Sequence, residues 1–114
     1  MGQIQDQVLV IFGASGDLTY RKLIPALFDL FMQDLLPRNF TILGVSRTEF
    51  TNATFRDKMN DGIRQFAYFK NPSKEKLAVF DEKLHYLAIE TKEASEYVKL
   101  QRKLKKIDLY HRLS

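Results

Sequence analysis

A short apolar segment that ends in a Gly-x-x-Gly turn is the feature that most constrains the fold of this chain. Residues 8–12 read Val-Leu-Val-Ile-Phe, which is typical of a strand buried on both faces. Residues 13–16 read Gly-Ala-Ser-Gly and stand where that strand turns into a helix. Glycine permits a sharp turn and a close approach of backbone to ligand, and the N–H groups of a helix N-terminus attract phosphate. The segment therefore predicts a phosphate-binding turn of an α/β domain.

The turn departs from the Gly-x-Gly-x-x-Gly spacing of most dinucleotide-binding folds. Ser15 holds the middle position and can donate a hydroxyl to phosphate, and Thr19 stands at the third glycine position. The turn alone is not specific, because a tight strand-to-helix turn of another α/β protein has the same residue types. The strands and helices around it are what favour a nucleotide site.

Hydrophobic periodicity divides the chain into alternating strands and helices. The predicted strands cover residues 8–12, 40–45 and 84–89, and the predicted helices cover residues 18–36, 52–69, 74–81 and 93–106. Pro25 either begins the first helix proper or kinks it. Thr51 or Asn52 is expected to cap the second helix, and Ser73 the third. The alternation predicts right-handed crossovers and parallel strands in the order 3-2-1, as in a Rossmann-type doubly wound α/β fold.

A complete fold of this type has a fourth strand beside the first one. The 114 residues supply no fourth strand, so residues 8–12 would form an exposed sheet edge, which folded proteins normally avoid. We therefore expect an incomplete fold, in which residues 1–114 are the N-terminal portion of a domain from a longer protein. A catalytic and dimerisation domain would be absent.

Composition and charge exclude several function classes. No apolar run reaches the ~18 residues of a membrane span, and residues 1–7 lack the apolar core of a secretory signal. The absence of cysteine excludes disulfides and thiol nucleophiles. We expect a cytoplasmic protein with no membrane partner.

The net charge of +4 comes largely from basic residues near the C-terminus. These residues are Lys99, Arg102, Lys103, Lys105, Lys106 and Arg112. Such a cluster suits a nucleic-acid or phosphate surface. Because its members alternate with Leu100, Leu104 and Ile107 at helical spacing, we interpret it as a solvated helix face instead. We therefore expect no nucleic-acid partner.

A cation follows the second predicted strand. Arg47 stands between Ser46 and Thr48, which add hydroxyl donors. An NAD site usually carries an acid here for the ribose 2′-hydroxyl, whereas a 2′-phosphate needs a cation. Guanidinium meets phosphate through two parallel hydrogen bonds. The sequence therefore favours NADP as the cofactor, the alternative being an ordinary exposed arginine.

No catalytic group and no metal site can be assigned from the sequence. His85 falls inside the third predicted strand and His111 in the C-terminal tail, and neither has a recognisable partner. Nucleophile–base pairs and metal-ligand spacings are likewise not visible. We predict that this segment contributes no catalytic residue and no metal ligand.

Residues 13–25 read Gly-Ala-Ser-Gly-Asp-Leu-Thr-Tyr-Arg-Lys-Leu-Ile-Pro and closely resemble the N-terminus of the glucose-6-phosphate 1-dehydrogenase family. That family opens with Gly-(Ala/Thr)-(Ser/Thr)-Gly-Asp-Leu-Ala, then basic residues ending in lysine, two apolar or aromatic residues and proline. Residues 44–48, Gly-Val-Ser-Arg-Thr, resemble its second strand with the NADP-selecting arginine. The resemblance covers most of the chain and thins after about Asn52.

The resemblance implies a parent oxidoreductase that converts glucose 6-phosphate to 6-phosphogluconolactone with NADP, the first step of the oxidative pentose phosphate pathway. It implies that Glu90 and Thr91 contact the adenosine half and that Lys22 points toward the junction of cofactor and substrate. Arg47 would hold the 2′-phosphate. The residues implied for the pyrophosphate are Gly13, Ala14, Ser15, Gly16, Asp17, Leu18 and Thr19.

Two positions depart from the family pattern, and the change at Thr19 is small enough to be tolerated. Thr19 replaces the usual alanine, and Ile89-Glu90-Thr91 replaces an Asp-containing sequence. The family segment Arg-Ile-Asp-His-Tyr-Leu-Gly-Lys-Glu, which carries the catalytic and substrate-phosphate residues, does not occur in the 114 residues. We therefore expect this chain alone to be inactive and the parent to be a homo-oligomer. The alternatives are a stand-alone NADP-binding or regulatory module and another NADP-dependent α/β reductase.

Overall fold

The computed structural model of the chain describes residues 7–90 and 93–113, with side chains up to residue 107. Thr91 lies outside the described residues, as do residues 1–6, considered above for a secretory signal. The side chains of His111 and Arg112 are also outside. In chain order, the elements are β1 (Gln7–Phe12), α1 (Ile24–Met32), β2 (Phe40–Ser46), α2 (Asn52–Phe66), α3 (Lys74–Asp81), β3 (Leu84–Ala88) and α4 (Tyr97–Leu113). A π-helical segment, Thr19–Leu23, leads into α1, and a 3-10 turn, Ala94–Glu96, leads into α4.

The three described strands are parallel, and β2 lies between β1 and β3. This is the predicted order 3-2-1, so the α/β doubly wound prediction is confirmed. Burial on both faces was expected of residues 8–12, but it is β2 that is buried at every position after Phe40. Leu9 and Phe12 of β1 are exposed, and β1 pairs only with β2 within the described residues.

Helices cover both faces of the sheet. On one face, α1, α2 and α3 pack against it through the fully buried side chains of Phe28, Phe55 and Phe80. On the other face, α4 packs through Leu100 and Ile107 onto alternate residues of β2. Alternation is expected because successive side chains of a strand point to opposite faces. Because the three strands are parallel, their carboxyl ends meet at one edge of the sheet, where the Gly-Ala-Ser-Gly turn also lies.

The helix boundaries differ in places from the sequence prediction. The first helix ends at Met32 rather than at residue 36, because Gln33 leaves helical geometry and Asp34 has a φ of 56°. Pro25 lies in the first turn of α1, where its missing N–H is not needed, so the helix proper begins there. The second helix ends at Phe66 rather than residue 69, and α4 runs on to Leu113 rather than residue 106.

Hydroxyl caps fix where two of the helices begin. Thr51 is the N-cap of α2: its hydroxyl accepts from Thr54 N at 3.1 Å, and the Thr54 hydroxyl accepts from Thr51 N at 2.9 Å. Ser73 caps α3 by accepting from Lys76 N at 3.1 Å, as predicted. Asn52 does not cap α2. Its Oδ1 accepts from the backbone N–H of Tyr86 at 2.8 Å and so ties the start of α2 to β3.

A polar pair joins α2 to α3. Asn60 Nδ2 donates to Asp81 Oδ2 at 3.1 Å. The other two oxygens, Asn60 Oδ1 and Asp81 Oδ1, are buried and have no hydrogen-bond partner within the described part of the chain. Burial raises the pKa of the Asp81 carboxyl, outweighing the hydrogen bond from Asn60 that lowers it. The pair is thus an incompletely satisfied buried group.

We expect Asp81→Asn to raise the free energy of unfolding at neutral pH by about 1 kcal/mol, because the neutral amide adds an N–H where buried oxygens lack donors. The folded wild type holds the Asp81 proton more tightly than the unfolded chain does. Its stability should therefore fall as the pH rises from the ordinary carboxyl pKa through the raised pKa of Asp81. Urea unfolding across that pH range should show the decrease in stability for the wild type and not for Asp81→Asn. The matched control is Glu75→Gln at an exposed position of α3, and destabilisation by Asp81→Asn at neutral pH would contradict the expectation.

Candidate nucleotide-binding site

The turn after β1 has the backbone of an anion-binding loop. Gly13 has a φ of +70°, a conformation that L side chains rarely adopt. Gly16 N donates to Gly13 O at 3.0 Å, and Tyr20 N donates to Gly16 O at 3.4 Å, so the turn runs directly into a helix. Within the described residues, the N–H groups of Ser15, Asp17 and Leu18 have no backbone acceptor. These donors are the ones a phosphate at a helix N-terminus uses.

Close packing holds the turn against β2. Ala14 is fully buried, and its N–H donates to Val45 O at 3.1 Å. Its side chain lies over Gly44: a Cβ built on Gly44 would be 2.7 Å from Ala14 Cβ and 2.9 Å from Phe55 Cζ. The missing side chain at Gly44 therefore lets the turn close over the end of the sheet. Gly44 stood out in the sequence only within the family resemblance, and no residue pattern indicated this packing.

Hydroxyl groups from two strands hold Ser15 in place. The hydroxyl oxygens of Ser46 and Thr48 each lie 3.0 Å from Ser15 Oγ, within hydrogen-bond distance. Tyr86 OH donates its one proton to Thr48 O at 2.6 Å, and its oxygen lies 2.5 Å from Ser46 Oγ. The Ser15 hydroxyl is therefore held by two side chains beside the free N–H groups of the turn. Ser46 and Thr48, expected as donors beside Arg47, instead orient Ser15.

Burial raises the pKa of the Tyr86 hydroxyl above its ordinary value, with the Ser46 hydrogen bond opposing that shift. Tyr86 therefore stays protonated at neutral pH and remains a donor. No sequence pattern marked this tyrosine, since it reaches the turn only through the pairing of β3 with β2.

Lys58 of α2 is a cation at the turn that sequence reasoning also missed. Its Nζ donates to Ser15 O at 2.9 Å. The same ammonium lies 5.6 Å from the ring centroids of Tyr20 and Phe50, in cation–π geometry. These contacts keep a positive charge beside the free N–H groups of the turn, where it adds to the attraction for an anion.

Arg47 and Glu90 follow neighbouring strands and lie together. Arg47 Nη1 is 3.7 Å from Glu90 Oε2, and the two side chains are 73% and 34% exposed. An ion pair this exposed contributes at most about 1 kcal/mol, so it does not lock the guanidinium away from another anion. The structure thus brings together two of the residues predicted for the adenosine half.

The side chains of the remaining predicted site residues differ in their exposure to solvent. Asp17 forms an exposed ion pair with Arg21 at 2.9 Å, and Leu18 is exposed. Thr19 is only 2% exposed, so the side chain faces the interior and its backbone alone borders the turn. Lys22 is exposed in the π-helical segment.

Among the described side chains, those of residues 7–90 and 93–107, there is no group of three or more His, Cys, Asp or Glu residues that could hold a metal ion. No helix within residues 7–90 and 93–113 is long and apolar enough to cross a membrane.

A parallel sheet covered by helices on both faces, with a glycine turn and an arginine at its carboxyl edge, defines a nucleotide-binding α/β domain of the Rossmann type. Comparison with known proteins gives the family. Residues 10–113 match the family model described as the NAD binding domain of glucose-6-phosphate dehydrogenase. The chain belongs to this family, which confirms the resemblance and argues against a reductase of another α/β family.

Two curated relatives illustrate the match, both named glucose-6-phosphate 1-dehydrogenase. The protein from Treponema pallidum is 44% identical over 89 residues, covering 78% of this chain and 17% of the relative. The protein from Aggregatibacter actinomycetemcomitans is 47% identical over 92 residues, covering 81% of this chain and 18% of the relative.

Solved structures give the same fold. A glucose-6-phosphate dehydrogenase in complex with its substrate glucose-6-phosphate superimposes with a TM-score of 0.80 at 28% identity, over 95% of this chain and 22% of the other. The glucose-6-phosphate 1-dehydrogenase from Mycobacterium avium superimposes at 0.76 and 24% identity, over 87% and 21%, and supports the fold alone. The chain spans about a fifth of the length of these relatives.

Proposed function

We propose that this chain forms the coenzyme-binding part of an enzyme that oxidises glucose 6-phosphate, and that the coenzyme is NADP. The observation that carries the coenzyme half is the turn after β1, where free N–H groups and the Ser15 hydroxyl converge beside Lys58. The substrate half rests on the relatives named glucose-6-phosphate 1-dehydrogenase and on the one solved with glucose-6-phosphate.

The pyrophosphate would lie on the turn formed by residues 13–19. Backbone N–H groups and the Ser15 hydroxyl would donate to its oxygens, and Lys58 would neutralise part of its charge. When bound, the coenzyme supplies the hydride acceptor, while the chain supplies orientation and charge. Lys22 would lie toward the junction of coenzyme and substrate, as the family resemblance implies.

Selection of NADP over NAD would depend on Arg47. Its guanidinium is exposed at the carboxyl end of β2, where the adenosine ribose lies in folds of this type. Glu90 would contact the same ribose from the end of β3, and Thr91 beside it belongs to the same proposal. In the proposed enzyme, the partners are glucose 6-phosphate and further copies of the same protein, and the location is the cytoplasm.

Titration calorimetry of the 114-residue chain with NADP and NAD tests the coenzyme half. We expect both to bind, NADP more tightly, and the chain alone to turn over no glucose 6-phosphate. Ser15→Ala should weaken the binding of NADP and of NAD by the same factor, because the pyrophosphate is common to both coenzymes. A chain that circular dichroism shows to be folded but that binds neither coenzyme would overturn the proposal.

The substrate half has a separate test. Sequencing the native transcript past the codon for Ser114 either reveals the Arg-Ile-Asp-His-Tyr segment of the family or does not. We expect the segment, and its absence would leave a coenzyme-binding module without the proposed chemistry.

A further inference from the structure

Part of the basic cluster near the C-terminus surrounds a cavity that the coenzyme site does not use. The cavity has a volume of about 540 Å³ and lies between α3, α4 and the first residues of β2 and β3. It is therefore at the amino edge of the sheet, opposite the edge that carries the glycine turn.

Positive charge dominates the lining of the cavity. It contains four cations and one carboxylate: Arg38, Lys83, Lys103, Lys106 and Glu82. Lys83 Nζ donates to the backbone oxygen of Arg38 at 3.0 Å, which joins the segments before β2 and β3 on this side of the cavity. Lys103 and Lys106 approach from α4 on the other wall.

Two lysines of the cavity have lowered pKa values, because their charged forms are partly buried. Burial lowers the pKa of Lys83, with Glu82 only partly opposing it. Burial also lowers the pKa of Lys103, and the neighbouring charges of Lys106 and Arg56 lower it further. Both ammonium groups are therefore destabilised where they stand, and an anion bound between them would relieve that cost.

The rest of the lining is partly apolar. Phe40, Val79 and Ile107 contribute aromatic and aliphatic surface to the cavity. A volume of about 540 Å³ falls within the range of small-molecule sites and exceeds what a bare phosphate ion fills. The chemistry fits an anionic group carried on an apolar or planar body.

We propose that this cavity binds a small organic phosphate, with the phosphate among Lys83, Lys103 and Lys106 and the apolar body against Phe40 and Ile107. The site is distinct from the glycine turn, because the two lie at opposite edges of the sheet. It does not depend on the coenzyme assignment.

Phenyl phosphate is the probe, titrated calorimetrically into the folded chain. The test variant is Lys103→Gln/Lys106→Gln, and the matched control is Arg102→Gln/Lys105→Gln, which removes the same charge from exposed positions of the same helix outside the cavity. We expect the test variant to lose at least tenfold in affinity and the control less than twofold. Inorganic phosphate should bind wild type more weakly than phenyl phosphate does.

Two results would overturn the proposal. The first is no binding of phenyl phosphate to a chain that circular dichroism shows to be folded. The second is an equal loss in the two double variants, which would indicate a general basic surface. Single-stranded DNA that binds wild type more tightly than phenyl phosphate and is weakened equally by both pairs would identify that surface as one for nucleic acid.

Discussion

Gly44→Ala is expected to destabilise the chain by about 2–3 kcal/mol, near the upper end of what overpacking a well-filled core costs. The new Cβ would lie 2.7 Å from Ala14 Cβ and 2.9 Å from Phe55 Cζ, and both of those side chains are fully buried. Alanine is otherwise favoured over glycine within a strand, so any loss of stability in Gly44→Ala is due to steric crowding by the new Cβ. Urea unfolding measures the change, and NADP affinity should fall with it because the turn must move.

A second substitution separates the two contacts. Ala14→Gly in the Gly44→Ala background removes the contact with the turn but leaves the contact with Phe55. We expect part of the lost stability to return, with a favourable coupling between the two positions in a double-mutant cycle. Unchanged stability of Gly44→Ala, or additive losses in the double variant, would mean that the turn is not held by this close approach.

The arrangement of the sheet was predictable from the sequence because its signals are local. An apolar run before Gly13 marks a strand and its turn, and periodicity marks the helices between strands. Right-handed crossovers then leave few ways to order three parallel strands. Helix ends were predicted less well. The first helix ends at Met32 because of the backbone of Asp34, and no residue pattern indicated that Asp34 has a positive φ.

The site was only partly predictable, because several of its contacts join residues far apart in the chain. Ser15 and Arg47 were expected from their positions after strands, and Glu90 from the family resemblance. Lys58 lies 43 residues from Ser15, and its role depends on the rotation of α2 about its axis. Tyr86 reaches Ser46 across the sheet from 40 residues away. Such contacts are fixed by tertiary packing, which spacing along a sequence does not encode.

The basic C-terminal cluster illustrates the same limit. Helical spacing predicted a solvated face, and Arg102 and Lys105 are indeed exposed. Lys103 is half-buried and lines the cavity instead, because α4 packs onto the sheet through Leu100 and Ile107. One helix can therefore carry solvated cations and cations that line a cavity within a single turn.

Arg47→Ala is expected to weaken NADP binding by about 10- to 100-fold, since hydrogen bonds to a charged group contribute about 1.5–3 kcal/mol and each 1.4 kcal/mol is tenfold in affinity. NAD lacks the 2′-phosphate, so its affinity should change less than threefold. Titration of both coenzymes into wild type and variant measures the difference. Equal losses for NADP and NAD would place the 2′-phosphate elsewhere.

The neighbouring carboxylate provides the converse variant. Glu90 Oε2 lies 3.7 Å from the Arg47 guanidinium. Its negative charge there disfavours a second anion, while its carboxylate oxygens can accept a hydrogen bond from a ribose hydroxyl. Glu90→Gln should therefore strengthen NADP binding a few-fold and leave NAD unchanged or weaker. Arg47→Lys should fall between wild type and Arg47→Ala, because lysine keeps the charge but loses the two-pronged geometry. If Arg47→Lys binds NADP as well as wild type does, selection depends on charge alone, and the guanidinium shape has no part in it.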